Sequence, residues 1–517
     1  MVCTMNESRQ KFRFHLVLGA IFTLSVAYLA IVPPNAGPDE IVHARSSWYL
    51  AENPSKIFSK EFIVTSELPG ELRILDTTHE FDNTACFTQR NEVPPSCQNL
   101  EVQEEGIERY YIFYHSIPYY LFVGISQHAS RNYLDAYTSA KLASFTLCWL
   151  ILLFAFTRIR IKLIGSNLTL LFFLISSSSI FLLTVVNPSS FEIVSALYFT
   201  SSILCIRDNY CKTSLAHFFL SATLLTLSRP LGFVWLMCII LFYQTIASKG
   251  PRTDHANKAF AKSVLPLAVL FVTQIWLGHD WPSPLRYEKA NLEFYIEESI
   301  REFNESGHWY AHFFGVLGAG ELKLPVLFVY FNIFATLLLI KQSASVEMRV
   351  RRRQYFVISL SLFFVPAAIQ LINSAAWPVW WQGRYLIPVF VGLVLLLICS
   401  SERNLHGQIP YFKSIAVLGV ASHAYMAILT FARFNWGLYP TSTPVIANGW
   451  SMSSASTLIF FSCFLIFLII SWVTLNIGNY TKNLISTLII VSPNFSEVLN
   501  SLFRRKHGKS RKSNSKK

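Results

Sequence analysis

The chain has 517 residues, of which 52% are hydrophobic, 15% aromatic and only 14% charged, and its mean hydropathy is +0.40. A soluble protein of this size needs more polar surface, so the composition excludes soluble classes and points to an integral membrane protein. The formal charge of +13 does not mark a nucleic-acid binder, because eight Lys or Arg lie in the last fourteen positions, "RRKHGKSRKSNSKK".

The apolar residues fall into separate blocks of roughly 17–23, each able to cross a hydrocarbon core of about 30 Å as a helix. The expected fold class is therefore all-α and integral to the membrane, with about twelve transmembrane helices, or eleven to thirteen if two aromatic segments at 110–127 and 308–320 enter the bilayer. Residues 1–14 form a cytoplasmic N-terminus, because Lys11 and Arg13 precede the first span, 15–32, and send it outward. A cleaved signal peptide is the alternative, but this apolar stretch is longer than the usual signal core of roughly 7–15 residues.

Residues 34–140 then make a large first extracytoplasmic loop. Its stretch 34–110 holds fourteen Asp or Glu against six Lys or Arg, whereas the chain as a whole is basic. The segment 110–127, "YYIFYHSIPYYLFVGISQ", reads as a helix lying at the outer interface, where aromatic rings are favoured. Further spans follow at 142–157, 164–186, 191–206, 214–228, 231–247, 263–279, 322–340, 354–373, 385–400, 414–432 and 454–474. With this alternation the cluster of Lys341, Arg349, Arg351, Arg352 and Arg353 falls on the cytoplasmic side, as the rule for positive charge requires. The membrane domain thus covers 15–474, and 475–517 is a basic cytoplasmic tail suited to anionic headgroups or an acidic partner.

Nine cysteines are present, and most are small apolar residues in or beside spans. Cys86 and Cys97 differ. They bracket "FTQRNEVPPS" in the acidic outer loop, an oxidising location that permits a disulfide.

Immediately after the first span, "PPNAGPDEIVHARSSWY" gathers Asp39, Glu40, His43 and Arg45. Carboxylates there reach both water and the headgroup layer, where a lipid-borne phosphate lies. Gly37 and Pro38 make a turn that halts the helix, and a helix after Pro38 would place His43 four residues on from Asp39 and on its face. Such charges are either the solvated end of a span or a fixed site, and their density among prolines favours the site. A second group, "WPVWWQGRYLIPV", puts Gln382, Arg384 and Tyr385 at the opening of a later span. An Arg there must snorkel or find a partner, and a guanidinium is a natural phosphate ligand. Asn187 and Glu192 in "VVNPSSFEI" and Arg229 in "SRPLG" stand at two other helix junctions, as caps and turns or as further substrate contacts. His308 and His312 have helical spacing for a metal but no carboxylate between them, as a zinc-hydrolase helix would have, which argues against a metal site there. No phosphate-cradling loop and no GxSxG element occurs in the sequence.

"GPDEIVHAR", "YHSIPYY", "VNPSSFEI", "FFGVLGAGELKLP" and "QGRYLIP", in that order, resemble an uncharacterised bacterial family of polytopic membrane proteins, most like its actinobacterial members. That family is patterned P-D-E-x-x-H-x-x-R and Q-G-R-Y; here Lys141 takes a place where the family carries Arg, and "GAGELKLP" offers Glu321 where it carries Trp-Leu-Asp. The family in turn resembles the GT-C glycosyltransferases, which take a sugar from a polyprenyl-phosphate lipid. The resemblance implies an inverting transfer to a cell-envelope glycan or glycolipid on the extracytoplasmic face. Asp39 would be the general base, with Glu40 as its companion carboxylate. Arg384 would stabilise the departing phosphate, supported by Gln382 and Tyr385. Glu40, His43 and Arg45 would tune Asp39 or hold a divalent cation, the one candidate cofactor. Asp39 and Arg384 must then share one pocket. Two other classes compete: a transporter or flippase of lipid-linked sugars, and a non-catalytic envelope assembly protein.

Overall fold

The computed structural model describes residues 2–52, 54, 63–64, 94–97, 109–110, 116–129, 133–159, 165–208, 210–246, 251–278, 311–317, 322–343, 348–373, 383–400, 411–437 and 451–491. These residues are almost wholly helical, and the chain is a multi-pass membrane protein. Among the described residues, five helices are long and apolar enough to cross a membrane, within Lys11–Ile31, Asp135–Ile159, Pro188–Arg207, Phe412–Trp436 and Ser454–Asn476. Shorter apolar helices lie at Pro230–Thr245, Val326–Gln342 and Gly383–Cys399. Helices α9 (Pro251–Gly278), α10 (Val326–Ser343) and α14 (Ser454–Val491) expose Leu265, Val269, Phe331, Phe334, Leu458 and Trp472. Water would not tolerate such a surface, and lipid does.

Helix α1 (Val2–Ile31) ends where Pro33 and Pro34 remove two backbone donors. Helix α2 (Glu40–Glu52) packs against α3 (Ile117–Gln127), the aromatic segment expected to be an interfacial helix. At their crossing a Cβ on Gly124 would lie 1.9 Å from the Ser47 carbonyl oxygen, so only glycine permits the approach. Helix α4 (Tyr133–Ile159) lies on α6 (Pro188–Asp208), and α6 also meets α7 (Lys212–Ser228) and α12 (Ile387–Ser400). In its most apolar stretch α6 is 94% buried, against 28% for α14, so α6 is the axis of the bundle and α14 its lipid-facing flank. Helix α8 (Pro230–Ile246) follows α7 after one residue. Helix α11 (Met348–Ser359) passes through a π turn at Leu360–Phe364 into Val365–Asn373, and α13 (Tyr411–Trp436) precedes α14. Among the described residues there are also two minimal antiparallel ladders, β1 (Ile63–Val64) with β2 (Arg109–Tyr110) and β3 (Val316–Leu317) with β4 (Leu322–Lys323).

One expected span is corrected. Residues 164–186 are not a continuous helix: a 3-10 turn (Gly165–Leu170) and one α turn (Leu171–Leu174) break at Ile175 before α5 (Ser177–Leu183). Four successive serines, Ser176–Ser179, offer the backbone competing hydrogen bonds, and Ser176 caps α5 by accepting from the Ser179 amide. His423 of α13 bridges the break, with one ring nitrogen 2.9 Å from Ser177 Oγ and the other 2.9 Å from the Phe172 carbonyl. Broken backbone survives inside a membrane protein only where its polar groups are satisfied in this way.

Gly124→Ala should lower the apparent melting temperature in detergent by the equivalent of about 1–3 kcal/mol of overpacking. Gly19→Ala, where a Cβ meets nothing within 4 Å, is the control and should leave it unchanged or raised.

Candidate functional site

The site forms where helix ends meet. The C-terminal ends of α1, α5 and α7 come together with the N-terminal ends of α6, α8 and α12, joined by hydrogen bonds and ring contacts between Pro38, Glu40, Val186, Asn187, Ser189, Arg229, Arg384 and Tyr385. At its centre the Arg384 guanidinium donates to Asp39 Oδ2 at 2.7 Å, across 345 residues of sequence. The Arg384 side chain is 7% exposed and that of Asp39 is 50% exposed. Arg384 is thus the buried wall of the site and Asp39 its solvent-facing member.

Asp39 and Glu40 are neighbours in sequence with opposite surroundings. The Asp39 backbone is left-handed, φ 55°, a conformation that Asp tolerates better than most residues. That places Asp39 just ahead of α2 as its cap residue, where its carbonyl accepts from the His43 amide at 3.1 Å, the helical spacing expected between the two. Glu40 is buried, and its two oxygens accept from the Gly37 amide at 2.8 Å and the Val186 amide at 2.7 Å. Gly37 must be glycine here, since a Cβ would come within 2.9 Å of Val185 and 3.1 Å of the Glu40 carboxylate. Burial, the largest influence, pushes the Glu40 carboxyl above the ordinary carboxylate range, opposed by Lys141, Tyr137 and the two amides.

The turn after α5 holds the other side. Asn187 is the N-cap of α6: its Oδ1 accepts from the Ser189 amide at 2.9 Å, and Pro188 takes the first helical position. The Asn187 Nδ2 donates to the Pro38 carbonyl at 2.7 Å, which ties this helix start to the residue before Asp39. Lys141 Nζ donates to the Val32 carbonyl at 2.7 Å, capping the end of α1. The Tyr137 hydroxyl accepts from the Asn35 amide at 3.2 Å.

Arg229, between α7 and α8, donates to Ser189 Oγ at 3.0 Å and lies 5.0 Å from the centre of the Tyr385 ring. Arg384 lies 5.3 Å from the same ring, so one tyrosine carries two guanidinium groups. Burial works against the Arg229 charge, but Tyr385, Glu192, Tyr120 and Asp39 outweigh it and raise its pKa above the ordinary value. Glu192 is fully buried on α6. His43 is also buried, with Nδ1 hydrogen-bonded to the Tyr120 hydroxyl at 2.8 Å. Burial pushes the Tyr120 phenol well above its ordinary pKa, so it stays protonated. Arg45 is buried on α2.

The donor set around Asp39 does not fit a divalent cation. Each Glu40 oxygen already accepts a backbone amide, His43 Nδ1 is hydrogen-bonded to Tyr120, and Asp39 Oδ2 accepts from Arg384, whose positive charge opposes a second cation beside it. No group of three or more His, Cys, Asp or Glu arranged to hold a metal occurs among the described residues. Gln382, Cys86 and His308 lie outside the described residues; Cys97 is disulfide-bonded.

Residues 22–393 match the family described as predicted membrane protein, DUF2142. The chain belongs to that family. The matched region of this DUF2142 protein runs from within α1 to within α12, and so holds Asp39, Glu40, Asn187, Arg229, Arg384 and Tyr385 together. No curated protein and no solved structure matches the chain.

Sequence reasoning brought Asp39 and Arg384 to one pocket, and the structure places them in contact. It left Asn187 open between cap and substrate contact, and both ends of its side chain are used structurally. It missed Tyr120 and Tyr137 as partners, although Tyr120 lies within the motif "YHSIPYY". Asn187→Ala should destabilise by about 1–2 kcal/mol through loss of the cap, with further loss from the freed Pro38 carbonyl. Asn187→Asp keeps the cap acceptor and should recover the capping part alone, as thermal unfolding of the purified variants will register.

Proposed function

We propose that the protein is a membrane glycosyltransferase of GT-C type, transferring a sugar from a polyprenyl-phosphate donor to a cell-envelope acceptor with inversion. The observation that carries this reading is the half-exposed Asp39 held 2.7 Å from buried Arg384, with Arg229 against the same tyrosine ring. A carboxylate open to water beside two guanidinium groups is the arrangement that sugar transfer from a phosphate requires. One group takes a proton and the others receive negative charge.

In the reaction, Asp39 removes the proton from the acceptor hydroxyl as its oxygen forms a bond to the anomeric carbon. The bond from that carbon to the donor phosphate oxygen breaks, and its electron pair leaves with the lipid phosphate. Arg384 and Arg229 stabilise that growing charge, in a setting where buried donors act strongly. Glu40 and Asn187 serve as positioning residues, because they hold the backbone on either side of Asp39. No step is routed through a cation.

The site is extracytoplasmic and both termini are cytoplasmic in this reading, with about twelve spans. The meeting of helix ends supports it, since strict alternation from α1 assigns every one of these ends to the outer side. The break at Ile175 is the feature that favours the transporter reading, because broken helices line transporter sites. Its polar groups are bonded to His423, which makes it a closed structural joint.

Purified protein given a polyprenyl-phosphate sugar and an envelope-glycan acceptor should form a new glycosidic bond. Asp39→Asn should lower the rate about 10²- to 10⁴-fold, and Arg384→Gln about 10²- to 10³-fold. Full transfer by Asp39→Asn, or movement of the lipid-sugar across vesicles with no new bond, would reject the proposal.

A further inference from the structure

We propose that Asp39 and Arg384 form a latch: the phosphate of the incoming lipid donor takes Arg384 over and so releases the Asp39 carboxylate to act on the acceptor. This rests on the glycosyltransferase reading and adds the order of events within the site.

The guanidinium is a cation with spare donors. Of its five N–H groups, it makes one short bond, to Asp39 at 2.7 Å, and one long contact, to the Tyr385 hydroxyl at 3.5 Å. Its Nε is buried without a hydrogen-bond partner among the described residues. A buried charge so incompletely bonded gains from an anion with more acceptor oxygens, and a phosphate offers three where the present carboxylate contact uses one. Arg229 is built differently. It bonds the neutral Ser189 and lies against Tyr385, so an anion over that ring meets two guanidinium groups, of which Arg384 must first exchange a carboxylate.

Asp39 is equally suited to exchange. Its side chain is half exposed, so turning to water costs little desolvation, while its backbone is pinned by Asn187 at the Pro38 carbonyl and by the neighbouring Glu40. While Oδ2 holds Arg384 the carboxylate is kept turned to the guanidinium, and exchange lets both of its oxygens turn to an acceptor hydroxyl. Exchange therefore links the freeing of the base to occupation of the donor site, and an empty enzyme keeps that oxygen engaged.

The test measures binding of a short-chain polyprenyl monophosphate to the full-length protein in detergent, with inorganic phosphate as the lipid-free arm. If donor binding must open the ion pair, Asp39→Asn should bind roughly tenfold tighter than the wild type, the scale of one charged hydrogen bond. Asn accepts positive φ, so the turn is kept, and Asp39→Gly provides a second variant with the same tolerance. Arg384→Gln should bind roughly tenfold weaker or worse, and in that background Asp39→Asn should change nothing. Inorganic phosphate should show the same ratio between variants at far weaker affinity, because the guanidinium responds to the anion alone.

Equal or weaker binding by Asp39→Asn and Asp39→Gly overturns the latch. So does tightening that persists without Arg384, which reports only the removal of a negative charge, and so does a ratio confined to the lipid form. In those cases a loss of sugar transfer in Asp39→Asn leaves the glycosyltransferase reading standing. Absence of both binding and transfer in the wild type removes the two together.

Discussion

Glu40 joins two stretches of backbone that no helix could satisfy. One oxygen accepts from Gly37, just past the end of α1, and the other from Val186, in the turn between α5 and α6 and 146 residues away. Where a chain leaves helical geometry at the edge of a membrane, each exposed amide costs several kcal/mol unless it is bonded. Glu40 satisfies two with one side chain, and in doing so fixes the distance between the first helix and the central one. Asn187 and Lys141 extend the same clasp to the Pro38 and Val32 carbonyls.

That clasp explains why adjacent carboxylates divide their labour. Glu40 begins a helix and is buried, whereas Asp39, in a left-handed conformation just ahead of it, keeps a half-exposed side chain against Arg384. The cost of positive φ is of order 1–2 kcal/mol, and it is sustained because the residues on both sides are bonded in place. The result is an acid that is rigid in its backbone and whose half-exposed side chain is held by Arg384. Opposite it, α12 opens with a 3-10 turn, Gly383–Leu386, that buries Arg384 and Tyr385 together. Tyr385 then spaces two guanidinium groups that would otherwise repel each other.

Much of this was legible in the sequence. The helical class followed from the length and apolarity of the blocks, since an unassisted backbone in lipid has few options. Asp39 and Arg384 stood out because ionisable groups at helix junctions are costly unless they have partners or a role. Asn187 before Pro188 carried the chemistry of a helix cap openly. Other features had no such mark. The block 164–186 carries no charged residue and is long enough to span, yet its serine run and His423, a residue of a much later helix, together break it. The partnership of His43 with Tyr120 joins two helices whose crossing depends on a single glycine.

Sequence by itself determined that the chain lives in a membrane as helices, and which ionisable residues stand at their ends, because hydrophobicity and backbone satisfaction are local properties read one block at a time. Only the tertiary structure decided that Glu40 is a brace and Asp39 the open acid, that two arginines share one tyrosine, and that the third apolar block is broken. Those outcomes depend on which distant donor reaches which acceptor. Distance through space is set by packing, and packing is not written in any one segment.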